Sequence, residues 1–386
     1  MTRREARKTG TSHWGRRARM RHHGCGRIPL RGAIKACGQL ALLAALGLAA
    51  GCASLQDRGG FAFGVIGDMP YTKVQEAEYS HVIADLNRAD LAFVAHVGDF
   101  QFDARPYNRN PAAARMPCAD ETYQSVLASF QSVRHPVIVT PGDNDWADCR
   151  PLQAVKIDPL ERLEKVRAVF FPPGRSLGQR TMPVRSQAED AQYARYRENL
   201  RWSIGGVTFV TLHIIGSNDN TGIAPELDAE QAARKAANIA WLKQAVAAAK
   251  TDGSRGLAII TQANPGFENF WPTASKTRYF LPFIARGQPL PKPSTAYGEY
   301  IQALATEIEG YDRPVIFIHG DTHIFRVDKP LFSAKSERHF ENFLRVETFG
   351  WPDSHWVKIE VDPADPQLFV AKPQNVPENL VNRRSK

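Results

Sequence analysis

The chain has 386 residues, 43% of them hydrophobic, enough for one large domain or two with a sizeable core, so disorder is excluded as its default state. A formal charge of +9 suggests a nucleic-acid partner until it is located. Residues 1–51 hold 11 Lys and Arg against the single acid Glu5, and taking these from totals of 49 and 40 leaves 38 basic and 39 acidic residues. The body of the chain is near neutral, and no nucleic-acid partner is implied.

The basic leader runs through Lys35, is followed by an apolar segment from Leu40 to Ala50, and ends in Ala49-Ala50-Gly51-Cys52. An apolar run that short does not span a bilayer, and its pattern is that of an export signal. Small residues before a cysteine resemble the lipobox of bacterial lipoproteins, which implies a lipid on Cys52 and a place on the periplasmic side of the cell envelope. Because no acid follows the cysteine closely, the outer membrane is expected. The alternative is an ordinary signal peptide cut nearby. The expected division is a signal peptide over 1–51, a linker over 52–60, a domain over 61–372 and a loose tail over 373–386.

Hydrophobic patterning predicts a strand over 61–67, a helix over 74–87, a strand over 91–97, a helix over 121–133 and a strand over 136–140. Alternation of this kind implies parallel pairing. The Pro, Arg and Asn-rich stretch from Phe100 to Ala119 reads as a loop that shapes a pocket. A helix is expected over 160–170, and a hairpin turning at Gly205-Gly206 leads into a strand over 207–215. A polar loop, Gly216 to Asn220, follows that strand. Asp228 is expected to cap a helix over 229–250, with a strand next over 256–261. The aromatic and proline-rich insertion from Pro265 to Gly298 reads as either a lid or a plug over the sheet edge. A helix over 296–309, a strand over 314–318, and paired strands near 343–348, 355–361 and 367–371 complete the list.

Cys25 and Cys37 leave with the leader and Cys52 is claimed by the lipid, so Cys118 and Cys149 remain. An even remainder in an oxidising compartment suggests a disulfide between them, and metal ligation is the weaker alternative because they lack a C-x-x-C spacing.

Four predicted strands end in the same chemistry: Gly67-Asp68, Gly98-Asp99, Pro141-Gly142-Asp143-Asn144-Asp145-Trp146 and Gly320-Asp321-Thr322-His323. Glycine allows a sharp turn, and open α/β sheets place their sites at the carboxyl ends of strands. Carboxylates gathered there repel one another unless a cation offsets them. In order and spacing these motifs resemble the calcineurin-like metallophosphoesterases, whose usual pattern is G-D-x-H, G-D, G-N-H-D/E, a lone His, and G-H-x-H.

The resemblance covers about residues 61–361 and implies a four-layer α/β/β/α sandwich binding two divalent metal ions, with a single ion as the alternative. It carries Asp68 and Asp99 to the family's aspartates, Asp99 to the bridging one. Asp143 falls at the family's Asn, Asn144 at the leaving-group His, Asp145 at the acidic place, and Asp321 and His323 at the closing histidines. Pro70 stands where the first motif has His. For the lone His, Gln262 or Asn264 stands in, Asn264 being the ligand candidate. The implied metal ligands are therefore Asp68, Asp99, Asp143, Asn264, Asp321 and His323, with Asn144 and Asp145 as catalytic candidates. Oxygen-rich donors favour Mn²⁺ or Mg²⁺ over Zn²⁺. Tyr71 is read as a phosphate contact ahead of a core tyrosine, and Trp146 as either a packing residue or a wall for an organic substrate. His96 and His213 read as core histidines. The expected function is phosphoester hydrolysis by metal-activated water, the rival a binding lipoprotein of the same fold that has lost the chemistry. Oligomeric state has no signal in the chain.

Overall fold

The computed structural model describes residues 59–102, 116–150 and 157–381, apart from 288, 290, 291 and 293. Its strands in the first half are β1 (Phe61–Ile66), β2 (Val94–His96), β3 (Val137–Val139), β4 (Arg185–Ser186), β5 (Leu200–Ile204), β6 (Val207–Thr211) and β7 (Gly256–Ile260). Those in the second are β8 (Val315–His319), β9 (Arg326–Asp328), β10 (Phe332–Ser333), β11 (Arg338–His339), β12 (Phe343–Glu347), β13 (Trp356–Val361) and β14 (Phe369–Gln374). The main helices are α1 (Lys73–Arg88), α2 (Asp120–Gln131), α3 (Pro159–Phe170), α4 (Pro225–Thr251) and α5 (Thr295–Ile308).

Two sheets carry the fold. One has the order β14-β13-β1-β2-β3 and the other β4-β5-β6-β7-β8-β12-β9. The central neighbours β1-β2-β3 and β6-β7-β8-β12 are parallel, and the outer strands are antiparallel. Because side chains alternate across a strand, each central strand faces two ways. Phe209, Ala258, Ile260, Ile316 and Ile318 face the first sheet, whereas Val210, Leu257, Ile259, Val315 and Phe317 face α4 and α5. Between the sheets Phe63 stacks on Phe93 at 4.7 Å, and Phe209 meets both rings edge-on at 5.4 and 5.2 Å. Helices α1, α2 and α3 cover the outer face of the first sheet through Leu86, Phe130 and Phe170. The result is a four-layer α/β/β/α sandwich.

Three expectations need correction, and one left open between two readings is decided. Strand β12 does not join β13 and β14: it lies in the second sheet, parallel to β8, while β13 and β14 pair in the first. Helix α4 starts after Ala224 with Pro225, whose missing N–H costs nothing at a helix start, and Asp228 sits in its first turn accepting from the Gly222 N–H at 2.7 Å. The tail is not loose from residue 373 on. Strand β14 runs to Gln374, Val376 is buried, and the Asn379 amide donates to the carbonyls of Glu78 and Ser354 at 3.1 and 2.8 Å. The insertion after Pro265 begins as a plug, since Phe267 is buried against Phe317 and Phe343 on the outer face of the second sheet.

Cys118 and Cys149 form a disulfide with a Cα–Cα distance of 5.9 Å, joining the start of α2 to the turn after Trp146. Cys52 and most of the loop after Phe102 lie outside the described residues.

Candidate metal centre

The four strand-end motifs meet at one place. Asp68, Asp99, Asp321 and His323 all have positive φ, at 53°, 54°, 79° and 63°. Non-glycine residues avoid this region, at a cost of about 1 kcal/mol or more each, and such strain concentrates at functional sites. Glycines let the backbones close in. A Cβ on Gly142 would lie 2.0 Å from Asp99 Oδ1, and one on Gly320 would lie 2.1 Å from Asp68 Oδ2.

Each carboxylate is tied to another motif. The Asp321 N–H donates to Asp68 Oδ1 at 3.0 Å, and the Asn144 N–H to Asp99 Oδ1 at 3.1 Å. The Asn264 N–H donates to Asp321 Oδ2 at 3.0 Å, and the Ser217 hydroxyl to Asp143 Oδ2 at 2.5 Å. Gln262 is fully buried and aims its amide nitrogen at three of them: Asp99 Oδ2 and Asp143 Oδ1 at 3.2 Å each, and Asp321 Oδ1 at 3.5 Å. Burial, then neighbouring carboxylates, push Asp68 and Asp99 well above the usual carboxylate range, and the half-buried Asp321 rises to about 8 for the same reasons, Asp143 being its strongest neighbour.

Carboxylate oxygens, the main donors of the cluster, are of the kind a hard divalent cation takes. Asp68 Oδ2 is buried with no hydrogen-bond partner. Trp351 offers a carbonyl at 2.8 Å from His323 Nδ1, so the proton is on Nδ1 and the lone pair is on Nε2. That lone pair faces Asp68 Oδ1 at 3.7 Å, beyond hydrogen-bond reach, and burial lowers the His323 pKa, which keeps the ring neutral. Two acceptors turned toward each other are an arrangement that a shared cation stabilises. Among the described residues, no three His, Cys, Asp or Glu side chains form a ready cage around one point. The Gln262 amide stands among Asp99, Asp143 and Asp321.

The other predicted site residues fall in three places. Asn144 and Tyr71 are almost fully buried inside the cluster: the Asn144 amide donates to the Tyr71 hydroxyl at 3.2 Å, which in turn lies 3.3 Å from Asp99 Oδ2. Tyr71 therefore has its hydroxyl engaged, and burial first, then Asp99, raise its pKa well above 10. It is not an open phosphate contact. The Asp145 carboxylate is taken up by backbone, accepting from the N–H groups of Asp99, Gly142 and Phe100 at 2.9, 2.8 and 3.0 Å. It shapes the loop rather than meeting a substrate. Trp146 is completely buried, with its indole N–H on His213 Nε2 at 3.1 Å, so it is a floor beneath the site and not a substrate wall.

The Asn264 side chain turns outward, its oxygen accepting from the Gly266 N–H and its nitrogen reaching Thr322 Oγ1 at 3.4 Å. Only its backbone touches the cluster, and Gln262 is the side chain that enters it. His96 is buried, with Nδ1 accepting from the Gly98 N–H at 3.2 Å and Nε2 unpartnered. His213 is a core histidine that bridges Glu198 and Trp146.

Sequence reasoning missed Asp148, whose carboxylate shares the Ser217 hydroxyl at 3.2 Å, and Glu347, which raises both Asp68 and Asp321. Neither ends a strand in Gly-Asp, so no motif marked them. Ser217 lay in a polar strand-end loop, which was the available signal.

No family model matches the chain, and no curated protein does. Solved structures that match include the structure of PhoD, 12% identical over 83% of this chain and 70% of that one, with a TM-score of 0.49. Another is the crystal structure of 5'-nucleotidase from Candida albicans SC5314, 11% identical over 81% of this chain, with a TM-score of 0.36. This chain spans about half, 50%, of the nucleotidase chain.

Proposed function

We propose that the protein is an exported, metal-dependent phosphoesterase, lipid-anchored through Cys52 on the periplasmic side of the cell envelope. The observation that carries the metal is the His323 lone pair turned on the Asp68 carboxylate at 3.7 Å, beside an Asp68 oxygen that has no partner. Asp68 and His323 would hold the cation, with Asp99, Asp143 and Asp321 as the surrounding negative charge, and carboxylate-rich ligation favours Mn²⁺ or Mg²⁺. A divalent ion there would supply Lewis acidity toward a phosphoryl oxygen and a hydroxide from water. The chain's own residues prepare the place: Asp321 and Asn144 direct their backbone N–H groups at Asp68 and Asp99, fixing how each carboxylate presents its oxygens.

A second reading, a binding protein that has lost the chemistry, is favoured by Asn144, which cannot protonate a leaving group. Calorimetric titration of Mn²⁺ into chelator-treated protein tests the metal. The wild type should give a saturable heat and Asp68→Asn almost none; no heat from the wild type would refute the proposal.

A further inference from the structure

We infer that the cluster takes one divalent cation and not two, and that the Gln262 amide fills the second place. The inference rests on the metal-dependent reading above and sharpens it. A glutamine amide has one accepting end and one donating end, and the backbone decides which is which here. The Gly216 N–H can only donate and lies 2.6 Å from Gln262 Oε1, so the other end is the NH₂ group. That group lies among Asp99 Oδ2, Asp143 Oδ1 and Asp321 Oδ1, three carboxylates from three different strand ends. Two N–H bonds with their partial positive charge thus occupy the ground between carboxylates where a second cation would need its ligands.

The amide cannot readily turn to offer oxygen to a metal. Flipping it would set NH₂ against the Gly216 N–H and break a buried hydrogen bond. The side chain is fully buried, and Gly216 itself is held close, since a Cβ there would stand 2.5 Å from Asp321 Oδ1. Beyond the reach of the amide remain Asp68 Oδ2, without a partner, and His323 Nε2, facing Asp68. The single cation belongs with those two.

The test is elemental analysis of manganese retained by the full chain after saturation and gel filtration, with circular dichroism to check folding. The expected result is one equivalent in the wild type and a second in Gln262→His, where imidazole replaces the donor. Gln262→Ala, which only removes the amide, should also admit a second, weaker equivalent, and it serves if the histidine variant does not fold. Two equivalents in the wild type, or still one in the folded variants, would overturn the inference while leaving the phosphoesterase reading intact. No manganese in any of the proteins would instead defeat that reading.

Discussion

On the proposed phosphoesterase reading, Asn144 restricts which leaving groups the site can serve. Its position is where the resemblance implies a leaving-group histidine, and its amide has no proton to give to a departing alkoxide. The amide is also engaged with Tyr71, whose own hydroxyl is tied to Asp99. Esters whose leaving group needs no proton should therefore be hydrolysed far better than alkyl esters. Asn144→His should narrow the gap, raising turnover of an alkyl phosphoester by up to ~10²-fold while changing that of a nitrophenyl ester much less. Paired rates for the two substrates check this, and an equal rise on both would mean that protonation is not what the site lacks. Asp68, Asp99, Asp143 and Asp321 were legible from the sequence because each follows a glycine at the end of an apolar run. Gln262 was legible only as one of two candidates, since Gln262 and Asn264 flank the same alanine and only the backbone trajectory decides which side chain turns inward.

At the scale of elements, the turn after β6 supports the cluster from behind. Ser217, Asn218, Asp219 and Asn220 all have positive φ, between 48° and 65°, a run that needs outside support. Asp219 supplies it, accepting from Arg234 at 2.6 Å, Gln231 at 2.8 Å and Tyr300 at 3.2 Å, all buried. Arg234 lies over the Trp146 ring at 5.5 Å, and Trp146 reaches Glu198 and Arg167 through His213. A continuous buried polar chain thus ties α3 and α4 to both the third motif and the Ser217 turn. Asp219→Ala should cost about 3 kcal/mol, toward the lower end for a broken buried pair because Arg234 keeps Glu230 at 3.0 Å. Urea denaturation measures it, and a loss below about 1 kcal/mol would show that the turn is held by other contacts. None of this network could be read from the sequence, because its partners are joined by tertiary packing alone; Arg167 and Glu198, for example, are 31 residues apart.

Across the whole molecule, the alternation of strands with helices made parallel pairing readable, while the four-layer arrangement was implied by the resemblance that the strand-end motifs carry. The placement of β12 was not readable, because it and β13 carry similar patterns and only pairing tells the two sheets apart. The leader and Cys52 stand apart from these arguments and bear on where the protein acts. The central claim is that Asp68 and His323, among carboxylates from the other strand ends, hold a cation that supports phosphoester hydrolysis. It is tested most directly by the initial rate of 4-nitrophenyl phosphate hydrolysis by chelator-treated protein, before and after adding Mn²⁺. The account predicts negligible hydrolysis without metal, restoration by Mn²⁺, and no restoration in Asp68→Asn. Hydrolysis that persists without metal, or that Mn²⁺ fails to restore in the folded wild type, would contradict it.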